Sequence, residues 1–228
     1  MVFWLDRMNM DDVPEVMAIE RDSFLTPWPF SAYKRELGSD NQSAHYLVLR
    51  LNPKPALSPA SLVRPAPVGR RGFWSNIFPL QRLRDLTPVI SNERNLGGYA
   101  GLWLIVDEAH ITTIAVRPEF RGRGLGELML VALTDIAIRI RARWLTLEVR
   151  VSNTVAQTLY RKYGFKPAGI RQRYYTDNHE DAMIMWTDEI TTTEFLDRFH
   201  THRRALMSRL MREGGLEEAA LGFPVRVT

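Results

Sequence analysis

Three glycines at alternate positions, Gly122, Gly124 and Gly126, interleave with Arg121 and Arg123 just ahead of a long apolar run. From Leu125 onward, Leu128, Met129, Ala132, Leu133, Ile136, Ala137 and Ile140 recur at the spacing of one helix face. Residues without side chains let backbone N–H groups approach a ligand closely. The first turn of a helix carries N–H donors with no intrahelical partner and a partial positive charge. With two guanidinium groups added, the pattern predicts an anion site, for a phosphate or a pyrophosphate. A P-loop is excluded because no Gly-Lys-Ser/Thr follows the glycines, and the dinucleotide fingerprint fails because its third glycine would fall at Glu127. A glycine-rich helix entry with a solvated basic turn accounts for the same residues without any ligand.

The elements around the loop follow from patterning. Ile111, Ile114 and Val116 form a β-branched run that Pro118 ends, so the loop joins a strand to the helix, which reaches to about Arg143. Residues 98–106 and 110–116 read as a strand pair turning at 107–109. The strand at 144–150 puts Leu145, Leu147 and Val149 on one face and Thr146, Glu148 and Arg150 on the other. Ser152 and Asn153 can cap a helix over 154–163 that Gly164 ends. A strand kinked at 167–169 follows over 165–175, then a turn at 177–181 and a short strand at 182–186. Ahead of all this lie an amphipathic helix over 11–25, capped by Asp11 or Asp12 with Pro14 in its first turn, a short helix over 31–37 capped by Ser31, and a strand over 44–49. This order predicts the α/β class, a mixed sheet flanked by helices.

Composition bounds the function. A chain of 228 residues with 45% apolar content suits one domain with additions. Cysteine is absent, which excludes disulfides, thiol catalysis and cysteine-ligated zinc; five scattered histidines give no metal motif, so no metal is expected. No run approaches the ~18 apolar residues of a membrane span, and acidic residues occupy the place of a signal peptide's apolar region, so a cytoplasmic location is expected. The net charge of +4 is uneven: residues 52–95 alone carry +5 and hold seven of the thirteen prolines. That segment reads as an extended loop followed by a basic, aromatic stretch at 70–80. It is expected to fold onto the domain surface, with a ribosomal or nucleic-acid contact or a membrane-surface contact as the sharper readings. Past residue 188, Phe195, Phe199, Leu206, Leu210 and Met211 form a helical stripe over 191–212, expected to pack on the chain's own domain, with a partner or dimer contact as the alternative. Oligomeric state is not legible.

Four collinear stretches carry a family resemblance. Arg-x-x-Gly-x-Gly at Arg121, Gly124 and Gly126 resembles the coenzyme A pyrophosphate loop of the GNAT superfamily of N-acetyltransferases. ERDSFLTPWPFS, VDEAHITTIAVRPEFRGRGLG, LEVRVSNTVAQTLYRKYGF and RQRYYTDNHEDAMIMW together look like the bacterial ribosomal-protein alanine N-acetyltransferases (RimI type). The match covers 1–51 and 96–188. The resemblance implies the GNAT acyl-CoA N-acyltransferase fold over 1–188, interrupted by a Pro/Arg-rich insertion at about 52–95 and followed by a helical extension at 189–228.

It also implies a reaction and its residues. An α-amine, with a pKa of roughly 7.7–8.0, must lose a proton before it attacks a thioester, directly or through water, and the departing thiolate needs an acid. By resemblance Glu148 is the general base and Tyr160 the acid. Read without the family, Glu148 is a strand carboxylate paired with Arg150, and Tyr160 is a core tyrosine. Acetyl-CoA is the implied donor, held by Arg121, Gly122, Arg123, Gly124, Leu125, Gly126 and Glu127 at the pyrophosphate, by backbone groups of Ile114, Ala115 and Val116, and by Asn153, which otherwise is simply a helix cap. In the family a splayed gap between this strand and the one at 144–150 admits the donor. Trp28, Tyr174 and Tyr175 match the family's peptide-binding walls, implying a protein N-terminus as acceptor, such as an alanine-starting ribosomal protein. The alternatives are a lysine or small-amine acetyltransferase, or a non-catalytic module that binds coenzyme A or RNA.

Overall fold

The computed structural model describes residues 2–38, 43–52 and 95–213. Most of the basic insertion and the chain after residue 213 lie outside the described residues, and with them the expectations of a surface, ribosome, nucleic-acid or membrane contact.

Strand β1 (Val2–Arg7) leads into helices α1 (Val13–Ser23) and α2 (Phe30–Glu36), then strands β2 (Ala44–Asn52), β3 (Leu96–Ile105) and β4 (Glu108–Val116). Helix α3 (Leu125–Arg139), strand β5 (Trp144–Arg150), helix α4 (Thr154–Lys162), strands β6 (Lys166–Arg171) and β7 (Ala182–Trp186) and helix α5 (Thr193–Arg212) complete the order. The strands form one seven-stranded sheet, ordered β1-β2-β3-β4-β5-β7-β6. Every neighbouring pair is antiparallel except β4 and β5. The mixed, helix-flanked sheet expected from the patterning is the fold.

Each face of the sheet has its own core. Alternation on β5 sends Leu145, Leu147 and Val149 to the face covered by α3, where Leu128, Met129, Leu133 and Ile136 meet them. The other face packs Val16 and Ile19 of α1 and Tyr33 of α2 on Tyr46, Val48, Tyr99 and Ala115. Strand β4 serves both cores by breaking its own alternation. Gly101 pairs with Thr113 while Leu102 pairs with Ile111, so Thr112 is an extra, bulged residue. Ahead of it, Ala109 and Ile111 lie in the α3-side core; beyond it, Ala115 lies in the opposite one. Pairing between β4 and β5 runs only from Glu108↔Trp144 to Ile111↔Leu147. The bulge therefore sits one residue past the last shared pair, and from there the two strands no longer bond to each other.

Local details differ from the sequence expectation for physical reasons. No pattern in the sequence marks strand β1; it is six residues long with one buried anchor, Phe3, too short to show a period. Asn9, not Asp11 or Asp12, caps the first helical turn, in a capping box with Asp12. Pro29 rather than Ser31 precedes α2, and no side chain caps it. The β3–β4 turn is tighter than expected, at Val106 and Asp107. Helix α3 stops at Arg139 because Arg141 turns left-handed (φ 62°), with Ala142 N–H bonded to the Ala137 carbonyl and Arg141 N–H to Ile138. That motif usually announces itself with a glycine, and here an arginine occupies the position. On α5, Phe195, Phe199, Leu206 and Leu210 are buried against the α3 side, as expected, but Met211 is exposed. Among the described residues, no helix is long and apolar enough to cross a membrane.

Candidate active site

The glycine loop is built as an open helix start. Gly122 (φ 76°) and Gly124 (φ 78°) take left-handed backbone conformations that L-residues disfavour. Inside α3 the first closed bond runs from Leu128 N–H to the Gly124 carbonyl at 2.9 Å, so the N–H groups of Leu125, Gly126 and Glu127 have no intrahelical partner. A side-chain carbon at Gly126 would meet only Val116, at an ordinary 3.8 Å. The protein's own packing therefore does not require glycine there. Arg121 and Arg123 are exposed. Arg121 donates to the Val116 carbonyl at 2.9 Å, and the Arg123 guanidinium sits 5.7 Å above the Phe120 ring.

The Glu127 side chain is already engaged. It accepts from Lys162 (2.5 Å), Tyr163 (2.7 Å) and Arg209 (3.1 Å). Burial alone would raise its carboxyl, yet the hydrogen bonds from Lys162 and Tyr163, with the Arg209 charge, hold it below the usual range. What Glu127 can offer an anion is its backbone N–H. Arg209 comes from α5 and also reaches Gly124, where a side-chain carbon would stand 2.5 Å from its guanidinium. That the C-terminal helix touches the loop is not legible in the sequence. Asn153 caps α4, its carboxamide oxygen accepting from Ala156 N–H at 3.1 Å. Its amide nitrogen has no partner among the described residues.

The gap between the strands begins where this loop's strand ends. Ile114, Ala115 and Val116 remain paired to β3 on one edge, opposite Ala100, Tyr99 and Gly98, while their other edge faces the region β5 has left. Glu148 stands on β5 one residue past the last shared pair. Its partner is not Arg150, as the family-free reading had it. Instead Oε1 lies 2.9 Å from Arg171 and Oε2 lies 3.2 Å from Nε2 of His110. The hydrogen bond from His110, opposed by burial and aided by the Arg171 charge, holds the Glu148 carboxyl below the usual carboxylate range. Arg150 is committed elsewhere. It binds Asp177 and Glu180 and stacks 3.8 Å over the Tyr175 ring, tying the β6–β7 loop to β5.

His110 carries no signal of a role in the sequence, and the structure sets it against Glu148. Its Nδ1 lies 2.8 Å from the Thr146 hydroxyl, which donates to Glu108 at 2.5 Å. His110 faces Thr146 through the parallel β4–β5 pairing and Trp103 through the antiparallel β3–β4 pairing. Neither register is legible in the sequence.

Trp103 stands opposite His110 on the neighbouring strand, and the fields of Glu148 reach Tyr174 and Tyr175. Trp28 lies 5.9 Å from Trp103 and 6.0 Å from Tyr33, ring centre to ring centre. The Trp28 backbone N–H and the Tyr99 hydroxyl both donate to the buried Glu20 carboxylate, fixing the Pro27–Pro29 loop to α1. Tyr174 is exposed and meets Tyr175 edge to face at 5.2 Å. Tyr160 projects from α4 and packs on Phe165 at 5.7 Å. Burial pushes its hydroxyl up to about 12, and the hydroxyl has no hydrogen-bond partner among the described residues. Burial also raises Tyr175, with Arg150 opposing and the fields of Tyr174, Tyr160 and Glu148 adding to it, so one ring senses both candidate catalytic groups.

Known proteins resemble this one over most of its length. Residues 61–165 match the sequence profile of the Acetyltransferase (GNAT) family. A Bacillus subtilis (strain 168) protein, provisionally named a ribosomal protein bS18-alanine N-acetyltransferase, is 37% identical over 179 residues, 78% of this chain and 91% of its own. The Salmonella typhimurium protein of that name, without the qualifier, is 39% identical over 116 residues, 49% of this chain and 78% of its own. The crystal structure of the Escherichia coli ribosomal-protein-S18-alanine N-acetyltransferase superposes with a TM-score of 0.58 at 25% identity, covering 82% of this chain and 93% of that one.

Proposed function

The chain belongs to the GNAT family of N-acetyltransferases, and on that premise we propose that it acetylates the N-terminal α-amine of a protein, using acetyl-CoA. The relatives named for ribosomal protein bS18 point to an alanine N-terminus on a ribosomal protein as the acceptor. In this reading residues 1–188 are the catalytic domain, with the insertion at 52–95 and the extension at 189–228 as additions to it.

One observation carries the reading: an anion-ready helix start follows the strand whose edge parts from β5, and a charged carboxylate stands on β5 one residue past that parting. The unpaired N–H groups of Leu125, Gly126 and Glu127, with Arg121, Gly122, Arg123 and Gly124, would hold the donor's pyrophosphate. Backbone groups of Ile114, Ala115 and Val116 and the amide of Asn153 would hold the arm that follows. Trp28, Tyr174 and Tyr175 would flank the acceptor's first residues. Glu148 would take the proton from the ammonium group, freeing the nitrogen lone pair to attack. Tyr160, kept protonated by burial, would give its proton to the departing sulfur. The lowered Glu148 carboxyl is a weak base, which fits an α-amine (about 7.7–8.0) better than a lysine (about 10.4).

The test is acetyl transfer to peptides beginning Ala-Arg, Ser, Met or acetyl-Ala, each with an internal lysine. Acetylation of the free alanine N-terminus is expected, none of the blocked peptide, and a fall in kcat of about 10²-fold or more for Glu148→Gln. Tyr160→Phe should lower kcat with little change in KM. Label on the blocked peptide would make the enzyme a lysine acetyltransferase. Coenzyme A binding without turnover on any peptide would make it a binding module.

A further inference from the structure

The proton count around His110 leads beyond a lone glutamate. Thr146 Oγ1 has one proton and two neighbours, Glu108 Oε1 at 2.5 Å and His110 Nδ1 at 2.8 Å. An ionised carboxylate only accepts, so the threonine proton goes to Glu108 and the threonine lone pair accepts from Nδ1–H. That fixes the tautomer, leaving Nε2 as the nitrogen that faces Glu148 Oε2 at 3.2 Å. Two lone pairs repel at that distance, so a pair with no proton between Nε2 and Oε2 strongly favours taking one. Arg171 holds the other Glu148 oxygen at 2.9 Å, so Oε2 is the oxygen left to exchange protons. The charged and titratable groups around the imidazole are Glu108 on its own strand, Glu148 on β5, Arg171 on β6 behind the carboxylate and Tyr174 beside Arg171.

We propose that Glu148 and His110 act as one proton acceptor, with Glu108 and Thr146 holding the imidazole in register. This rests on the reading of Glu148 as the base. The ammonium N–H bond breaks and its proton passes to Glu148 Oε2 and on to His110 Nε2. An imidazolium–carboxylate pair remains until the acetylated product leaves, when the proton returns to solvent. His110 acts through Glu148 and is a positioning residue. The arrangement answers a chemical difficulty: a carboxylate with one oxygen engaged by Arg171 is a poor store for an amine proton, and the adjoining ring nitrogen offers that proton a second site.

The experiment compares the full chain with His110→Gln, Thr146→Val and Glu148→Gln. It reads kcat against pH with both substrates saturating, together with the KM for acetyl-CoA; coenzyme A binding checks that each variant is folded. His110→Gln is expected to lower kcat about 100-fold near neutrality with the acetyl-CoA KM unchanged. It should also move the acidic limb of kcat at least one unit lower, because a lone carboxylate titrates below an imidazole–carboxylate pair. Thr146→Val should move both in the same direction by less, and it keeps the proposal open to test if His110→Gln does not fold. A His110→Gln enzyme with wild-type kcat and limb, beside an inactive Glu148→Gln, would overturn the pair and leave Glu148 working alone. A lower kcat with an unmoved limb would also overturn it, reducing His110 to a packing role. An active Glu148→Gln would instead overturn the reading of Glu148 itself.

Discussion

At the scale of single residues, what decides a role is which neighbours have already claimed a side chain's polar atoms. Arg150 and Arg171 both come near Glu148 in the fold, but Arg150 is taken by Asp177 and Glu180, and only Arg171 reaches the carboxylate. The sequence shows the alternation around Glu148 and the glycines at a helix's first turn, because these are local patterns; the roles of Glu148 and Tyr160 come from the family resemblance. It left His110 unread, since its importance comes from a strand 36 residues away in parallel register. Gly124 shows a second kind of hidden constraint. Its left-handed φ is legible from the loop pattern, but the Arg209 guanidinium against it is not. Gly124→Ala is expected to strain the backbone by about 1–2 kcal/mol and to push Arg209 off Glu127. Measured acetyl-CoA kinetics should show KM raised about tenfold, some 1.4 kcal/mol, with kcat little changed.

At the scale of elements, the β4 bulge and helix α5 do the arranging. One extra residue at Thr112 turns β4 from one core to the other at the place where β5 departs. Sequence periodicity marked 110–116 as a strand but could not mark the bulge, because each half of β4 is too short to establish a phase. Helix α5 was legible as an amphipathic stripe, and its packing on the α3 side follows from that stripe; its ion pairs with Asp135, through Arg203, and with Glu127, through Arg209, do not. The helix is thus part of the domain's core. Leu206→Ala is expected to destabilise the protein by about 2–5 kcal/mol, read as a fall in Tm of several degrees, because Leu206 is buried among α3-side residues and its removal leaves a cavity.

At the scale of the whole molecule, the sheet separates two environments. The unpaired helix donors and Glu127's cations belong to the side covered by α3 and α5; Trp28, Trp103, His110 and Glu148 belong to the side covered by α1 and α2. The two sides communicate where β4 and β5 part. A sheet open in this way has two doors. Under the proposed function donor and acceptor would enter through different ones, and neither would have to leave before the other arrives. Initial rates measured while both substrates are varied should then give intersecting double-reciprocal lines, the sign of a complex holding both at once. Parallel lines would mean that the acetyl group is parked on the protein between two visits, and that the second door is not used.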